Sequence, residues 1–203
     1  MGYNNYTKLR QVLQKFALKS EMIDLFPFAI QEVQPSDWLV QTLKLARMMP
    51  LTNEKTKSER IVSPILLETV LHFDNRFTLF FGEELPVNPD DNLSGECDFF
   101  ITLQKPSTVF EAPIISIVEA KDEDMEYGRA QCAAQLYGTK LYNEIEGKQF
   151  SVLFGCATDG IEWQFIRFEN NTFYIDSKIY TDLKEILGVW HHILSLYKNE
   201  SAK

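Results

Sequence analysis

The chain has 203 residues, of which 45% are hydrophobic and 24% are charged. This length suits one domain with a full core, or one domain with an added helical piece, and the composition is typical of a folded globular protein. The sequence has no run of about 18 apolar residues, the length that a membrane span needs, and its N-terminus lacks the apolar stretch of a signal peptide. We therefore expect a cytoplasmic protein that does not bind membranes.

The formal net charge of −9 is distributed unevenly along the chain. Residues 1–60 include nine basic and six acidic residues. Residues 61–126 include three basic and fourteen acidic residues, and residues 127–203 include eight basic and nine acidic residues. An acidic central segment repels the phosphates of a nucleic acid unless a cation lies among the carboxylates. The charge pattern alone fits either a solvated acidic surface or a metal site.

The three cysteines, Cys97, Cys132 and Cys156, are far apart in the chain and lie among apolar residues. An odd number of isolated cysteines is typical of free buried thiols in a reducing compartment.

Helical patterns come first in the chain. Apolar residues at helical spacing predict a helix over residues 4–19. A second helix is expected to begin after Ser36, a suitable N-cap, and to end before Pro50. A third is predicted over residues 56–73, with Pro64 kinking or restarting it.

Strand patterns follow, interrupted by one helix over residues 126–146. Strands are predicted within 76–87, 95–103, 112–121, 150–169 (two strands around an Asp159-Gly160 turn) and 172–180. An amphipathic helix capped by Thr181 closes the chain. We predict an α/β fold with a mixed sheet flanked by helices, in which residues 1–54 form an N-terminal helical extension and residues 55–203 the domain.

Three charged residues stand on two consecutive predicted strands. Side chains two residues apart share one face of a strand, so Glu119 and Lys121 project together. Asp98 lies on the preceding strand, which a short connection should place alongside. Two converging carboxylates take up a proton or bind a divalent cation between them. The alternatives are turn chemistry for Asp98 and a solvated salt bridge for Glu119 and Lys121.

The order Asp98, then Glu119-Ala120-Lys121 after an apolar strand, then a helix with Gln131 and Gln135, resembles the PD-(D/E)xK nuclease superfamily, whose members have the restriction-endonuclease-like fold. The downstream segment GCATDGIEWQF is similar to a strand–turn–strand unit in the N-terminal nuclease domains of type I restriction subunits. The chain departs from the motif at Cys97, where the motif has proline.

This resemblance covers about residues 55–190 and implies a function. Asp98, Glu119 and the backbone carbonyl of Ala120 would ligate Mg²⁺, for which Mn²⁺ could substitute. The metal would polarise the scissile phosphate and lower the pKa of the attacking water, while Lys121 would position that water and offset the developing charge. The resemblance thus implies a Mg²⁺-dependent nuclease that hydrolyses DNA phosphodiester bonds in restriction or repair. DNA is the expected partner, and both a homodimer and a partner subunit stay open.

Many such enzymes add an acidic residue from the helix before the sheet, and Glu59 and Glu68 are the candidates here. Nine residues at 100° each place them on opposite helix faces. Glu59 falls on the core-facing stripe, so we expect Glu59 to reach the site and Glu68 to face away with His72. Glu59 could equally complete a capping box with Thr56.

Gln131 and Gln135 share one face of the predicted helix. In related nucleases a glutamine on this helix contacts DNA phosphate or the attacking water, whereas the simpler interpretation is a polar helix surface. We therefore include both glutamines, with Lys121, Glu119, Asp98 and Glu59, among the candidate catalytic residues.

An alternative function is a non-catalytic module with the same fold that binds a protein partner or nucleic acid. Its motivation is the negative net charge, because a protein that binds duplex DNA usually carries a basic stripe. The sequence contains no phosphate-binding G-x-x-x-x-G-K-[ST] loop, so any ATP-driven movement would need another subunit.

Overall fold

The computed structural model describes residues 2–121 and 124–200, and within them the chain forms one seven-stranded mixed sheet. The strands are β1 (Lys19–Ile23), β2 (Thr78–Glu84), β3 (Glu96–Thr102), β4 (Ile114–Ala120), β5 (Val152–Thr158), β6 (Trp163–Glu169) and β7 (Thr172–Asp176). Their order is β1-β7-β6-β5-β4-β3-β2. The pairs β1–β7 and β4–β5 are parallel, and the other neighbours are antiparallel. The chain is therefore an α/β protein, as predicted.

Helices cover both faces of the sheet. The α-helices of the described residues are α1 (Leu9–Phe16), α2 (Asp37–Arg47), α3 (Glu54–Lys57), α4 (Ser63–Leu71), α5 (Met125–Ile145) and α6 (Leu183–Leu196). Helices α1 and α5 pack on one face, where the core includes Val12 and Leu136. Helices α2, α4 and α6 pack on the other, with Leu39, Leu66 and Trp190. Full burial of one large apolar side chain contributes about 1.5–3 kcal/mol, so these two layers are the main source of stability.

The N-terminal segment differs from its predicted single helix over residues 4–19. It forms a short 3₁₀ turn, helix α1 and then strand β1. The helix ends at Ala17, whose φ of 53° lies in the left-handed region, and the next residues pair in parallel with β7. Helical periodicity depends only on the local spacing of apolar residues, whereas strand β1 forms because its backbone can hydrogen-bond to β7. The predicted division of the chain after residue 54 stays a prediction; β1 and α2 lie against β7 and α4.

Residues 54–71 form one continuous helical segment with a π-helix, Ser58–Val62, between α3 and α4. The N–H of Ser63 bonds to the carbonyl of Ser58, five residues back. Pro64 stands in the first turn of α4, which agrees with the predicted restart, since a proline lacks the N–H that an earlier turn would need.

The expected orientations of Glu59 and Glu68 are wrong. The Glu59 side chain is 63% exposed, whereas Glu68 is buried and accepts hydrogen bonds from the backbone N and the Oγ of Ser36, both at 2.6 Å. The π-helix advances fewer degrees per residue than the 100° assumed, so the faces of the segment shift. The capping box also differs, because Asn53 and Thr56 form it in place of Thr56 and Glu59.

Two further helix starts can be compared with their predictions. Ser36 caps α2 as predicted, because its side chain accepts a hydrogen bond from the N–H of Leu39. The predicted cap Thr181 is wrong by one residue, since the side chain of Asp182 accepts from the first backbone N–H groups of α6. The Asp159-Gly160 turn is confirmed, with a φ of 89° at Gly160.

The described part of the chain contains no helix with the length and apolar character needed to cross a membrane. The three cysteines are free and buried, as the sequence predicted.

Replacing Glu68 with alanine should lower the free energy of unfolding by about 1–3 kcal/mol, because the N–H and hydroxyl of Ser36 then lose their acceptor. Urea unfolding at neutral pH measures this change. Glu59→Ala is the matched control on the same helical segment and should change stability by less than about 0.5 kcal/mol. Equal losses in the two variants would contradict the role assigned to Glu68.

Candidate active site

The site begins where the pairing of β3 and β4 ends. The last paired residues at this end are Phe99 and Val118, so Asp98 and Glu119 come next on the two strands. Here the backbone N–H of Ala120 donates to the Oδ2 atom of Asp98, at 2.8 Å, in place of a carbonyl of the neighbouring strand. The structure therefore brings Asp98 and Glu119 together at adjoining strand ends, as the sequence predicted.

Glu119 is a buried carboxylate, 2% exposed. One of its oxygens lies 3.0 Å from the Nζ atom of Lys121, and the other accepts a hydrogen bond from the Nε2 atom of Gln135, at 2.7 Å. Burial raises the pKa of Glu119 above its ordinary value, and the nearby charge of Asp98 raises it further. The contacts with Lys121 and Gln135 oppose this shift but do not cancel it.

Asp98 lies in a similar environment. Burial raises its pKa, the charge of Lys121 and the hydrogen bond from Ala120 lower it, and the carboxylate of Glu54 raises it again. The outcome is a raised pKa for Asp98. Both carboxyl groups are thus harder to ionise than free ones, chiefly because they are buried.

Lys121 supplies the positive charge of the site. Its side chain is 13% exposed, and its Nζ atom lies 3.0 Å from Glu119 and 3.2 Å from Glu54. Burial lowers the pKa of this ammonium group, but the charges of Glu119 and Asp98 outweigh burial and hold the pKa above its usual range. The stem of Lys121 packs on Gly128 of α5, where an added Cβ would come within 3.2 Å of its Cγ.

Glu54 is the helix carboxylate that sequence reasoning missed. It occupies the first position of α3 and pairs with Lys121. Asn53 was the available signal, because an N-cap there starts the helix two residues before the predicted start and directs its first turn to the site. The predicted candidate Glu59 lies on the outer rim, 3.8 Å from Lys55.

The two predicted glutamines of α5 have different partners. Gln135 contacts Glu119 directly. Gln131 is fully buried and donates to the side chain of Asn4. The structure therefore brings Gln135 to the carboxylates. The described contacts of Gln131 include neither Asp98 nor Glu119.

An open cleft of about 420 Å³ lies beside these groups, between the edge of the sheet and the segment that starts with α3. Its walls combine carboxylates, hydroxyls and one exposed aromatic ring. The lining residues are Glu54, Lys55, Ser58, Glu59, Ser63, Phe81, Gly82, Glu96, Asp98 and Phe99.

The donor set fits a hard divalent cation. Mg²⁺ binds one or two protein carboxylates and completes its shell with water and substrate oxygens. Asp98 and Glu119 provide two neighbouring carboxyl groups, and each is harder to ionise because of burial and of nearby negative charge, which a bound cation would offset. Across residues 2–121 and 124–200, no three or more histidine, cysteine, aspartate or glutamate residues form a group that could hold a metal by themselves. A metal here would therefore depend on water and substrate for its remaining ligands.

The fold and the site define an α/β protein with a buried carboxylate–lysine cluster at the end of a strand pair. No protein-family model matches the chain. It is similar to Crinkler effector protein 1 of Rhizophagus irregularis, with 29% identity over 173 residues. This similarity covers 76% of the chain but 35% of the relative, so the chain spans about a third of the length of that protein.

We expect the stability of the wild-type protein, measured in EDTA, to fall relative to Glu119→Gln as the pH rises above about 4.3, the ordinary pKa of glutamate. Below that pH the carboxyl is protonated in both the folded and the unfolded chain, and its contribution is fully present. Above it, the folded chain retains a proton that the unfolded chain has released, so stability is lost as the pH rises toward the raised folded-state pKa.

Urea unfolding of the two proteins at a series of pH values measures this difference. Parallel pH profiles for wild type and Glu119→Gln would contradict a raised pKa at Glu119.

Proposed function

We propose that the protein is a Mg²⁺-dependent nuclease with a restriction-endonuclease-like fold that hydrolyses DNA phosphodiester bonds, in restriction or repair. The observation that carries the proposal is the convergence of Asp98, Glu119 and Lys121 at the ends of two adjacent strands. A metal-dependent phosphodiester hydrolase needs carboxylate ligands and a cationic group on rigid elements, within reach of one phosphate.

The arrangement of elements supports the same proposal. Strands β3 and β4 are antiparallel, and α5 then connects β4 to the parallel strand β5. This crossover places Gln135 of α5 against Glu119 at the end of β4. The name of the similar protein describes an effector and specifies no reaction, so the proposed reaction rests on the site.

The chain's own residues would divide the work as follows. Asp98, Glu119 and the carbonyl of Ala120 would hold Mg²⁺, which when bound supplies charge for the scissile phosphate and acidifies a water. The Ala120 N–H orients Asp98, and Gln135 orients Glu119. The ammonium group of Lys121 would position the water and balance the negative charge that builds on the phosphate oxygens.

Glu54 would extend this cluster from the helical segment. Its carboxylate lies 3.2 Å from the Lys121 ammonium group, and the carboxylate of Glu119 lies 3.0 Å from it. We infer that Glu54, rather than Glu59, is the acidic helix residue that acts with the strand residues. Three free buried thiols fit a reducing compartment, and we propose a cytoplasmic location.

Wild-type protein should cleave DNA in Mg²⁺ or Mn²⁺ when single-stranded, supercoiled, linear and branched substrates are supplied. Lys121→Ala should lower the rate by about 100-fold or more, because removing one stabilising group from a transition state typically costs that much. Gel assays of cleavage measure the rate. Lys140→Ala, which removes a surface ion pair with Glu144 outside the cleft, should cleave like wild type.

Absence of cleavage by wild type, or equal rates for wild type and Lys121→Ala, would contradict the nuclease and favour the non-catalytic module. Calorimetry gives a second readout. The wild-type protein should bind Mn²⁺, and Asp98→Ala should not. Circular dichroism checks that Asp98→Ala is folded.

The two helix carboxylates can be separated by paired neutral substitutions. Glu54→Gln should lower the cleavage rate by about tenfold or more, because Lys121 loses one of its two carboxylate partners and is held less firmly. Glu59→Gln, on the same cleft wall, should leave the rate within about twofold of wild type, because Glu59 is 63% exposed and its ion pair with Lys55 is a solvated one. A larger loss in Glu59→Gln than in Glu54→Gln would reverse the assignment.

A further inference from the structure

An exposed aromatic ring forms part of the cleft wall. Phe81 of the edge strand β2 is 61% exposed, and it lines the same cleft as Asp98 and Glu54. Single exposed apolar side chains are common on protein surfaces. Phe81 differs from the other large apolar side chains exposed in the described residues because it lines the cleft beside Asp98.

The ring is anchored on one side and open on the other. Its centroid lies 6.2 Å from that of Phe99, at an interplanar angle of 56°, and Phe99 is 3% exposed. The next residue, Gly82, has a φ of 68°, which side-chain-bearing residues rarely adopt, and an added Cβ would meet nothing closer than 3.6 Å. By the strand register Gly82 lies opposite Asp98, since its neighbours Phe81 and Glu83 pair with Phe99 and Cys97. The strand position beside the carboxylate therefore carries no side chain.

The charges around the ring restrict the form of nucleic acid that can approach. The cleft is lined by Glu54, Glu59 and Glu96, and β2 ends on the exposed residues Glu83 and Glu84. These carboxylates repel phosphates, and a duplex would bring a second phosphate backbone into the same region. A single strand brings one backbone and presents base faces whose stacking does not depend on charge.

We propose that Phe81 is a stacking platform for an unpaired nucleobase, which holds a single-stranded segment beside Asp98 and Lys121. This inference rests on the proposed nuclease function. Aromatic stacking accepts every base, so binding should be independent of sequence. The hydroxyls of Ser58 and Ser63, in the same cleft, are donors suited to sugar and phosphate oxygens.

The test measures binding separately from cleavage. Fluorescence anisotropy in Mg²⁺, in a Lys121→Ala background, would compare a labelled oligothymidylate of about 12 nucleotides with an abasic strand and a duplex of the same length. Adding Phe81→Ala should weaken oligothymidylate binding by about fivefold or more, the loss expected when one stacked base is released. The same change should leave the affinity for the abasic strand unaltered, and Phe81→Trp should retain the affinity for oligothymidylate.

Phe28→Ala is the matched control, because Phe28 is 51% exposed and is not among the residues that line the cleft. It should bind all three probes like the parent. The proposed stacking role would be contradicted if Phe81→Ala and the parent bound oligothymidylate equally well. It would also be contradicted if Phe81→Ala lost as much affinity for the abasic strand, or if the duplex bound more tightly than the single strand.

The two proposals can fail separately. If cleavage depends on Lys121 while Phe81→Ala leaves binding unchanged, the platform is wrong and the nuclease stands. If Phe81→Ala weakens base-dependent binding but Lys121→Ala cleaves like wild type, the platform stands as a binding site and the assigned catalytic role of Lys121 is wrong.

Discussion

At one end of the β3–β4 pair, an aspartate side chain accepts the hydrogen bond that a backbone carbonyl would accept in a regular ladder. The N–H of Ala120 donates to Asp98, and this contact holds a carboxylate at the line between two strands. Glu119, next to Ala120 on β4, is consequently buried within the influence of a second negative charge. The remaining features of the site can be understood as responses to these two carboxylates.

Buried carboxylates must be paired or protonated, because an isolated charge is costly away from water. Lys121 provides one positive charge and Gln135 one hydrogen-bond donor, and both act on Glu119. Glu54 contacts the same ammonium group and adds further negative charge. The cluster is thus rich in carboxylate oxygens, the ligand atoms that Mg²⁺ prefers.

Because the cleft is acidic, its charges do not by themselves attract a nucleic acid, so substrate affinity needs a source other than the proposed catalytic groups. Positive charge near the site comes from Lys121 and from Lys55 at the rim, and both are already paired with carboxylates. Exposed apolar surface in the same cleft comes from Phe81, on β2, the edge strand of the sheet that the described residues form. Affinity for a flat base and reactivity toward a phosphate can therefore reside in different walls of one cleft.

Sequence patterns alone determined the α/β class, most strand positions, the Ser36 cap and the convergence of Asp98 and Glu119 at adjoining strand ends, because alternation and short connections are local properties of the chain. The tertiary structure decided strand β1, which exists through its partner β7. It also decided the roles of the helix carboxylates: a π-turn rotates Glu59 outward and Glu68 onto Ser36, while the Asn53 cap brings Glu54 to Lys121. The direction of these side chains depends on where the helical segment begins and on its local number of residues per turn. A prediction that assumes 100° per residue throughout cannot include either effect.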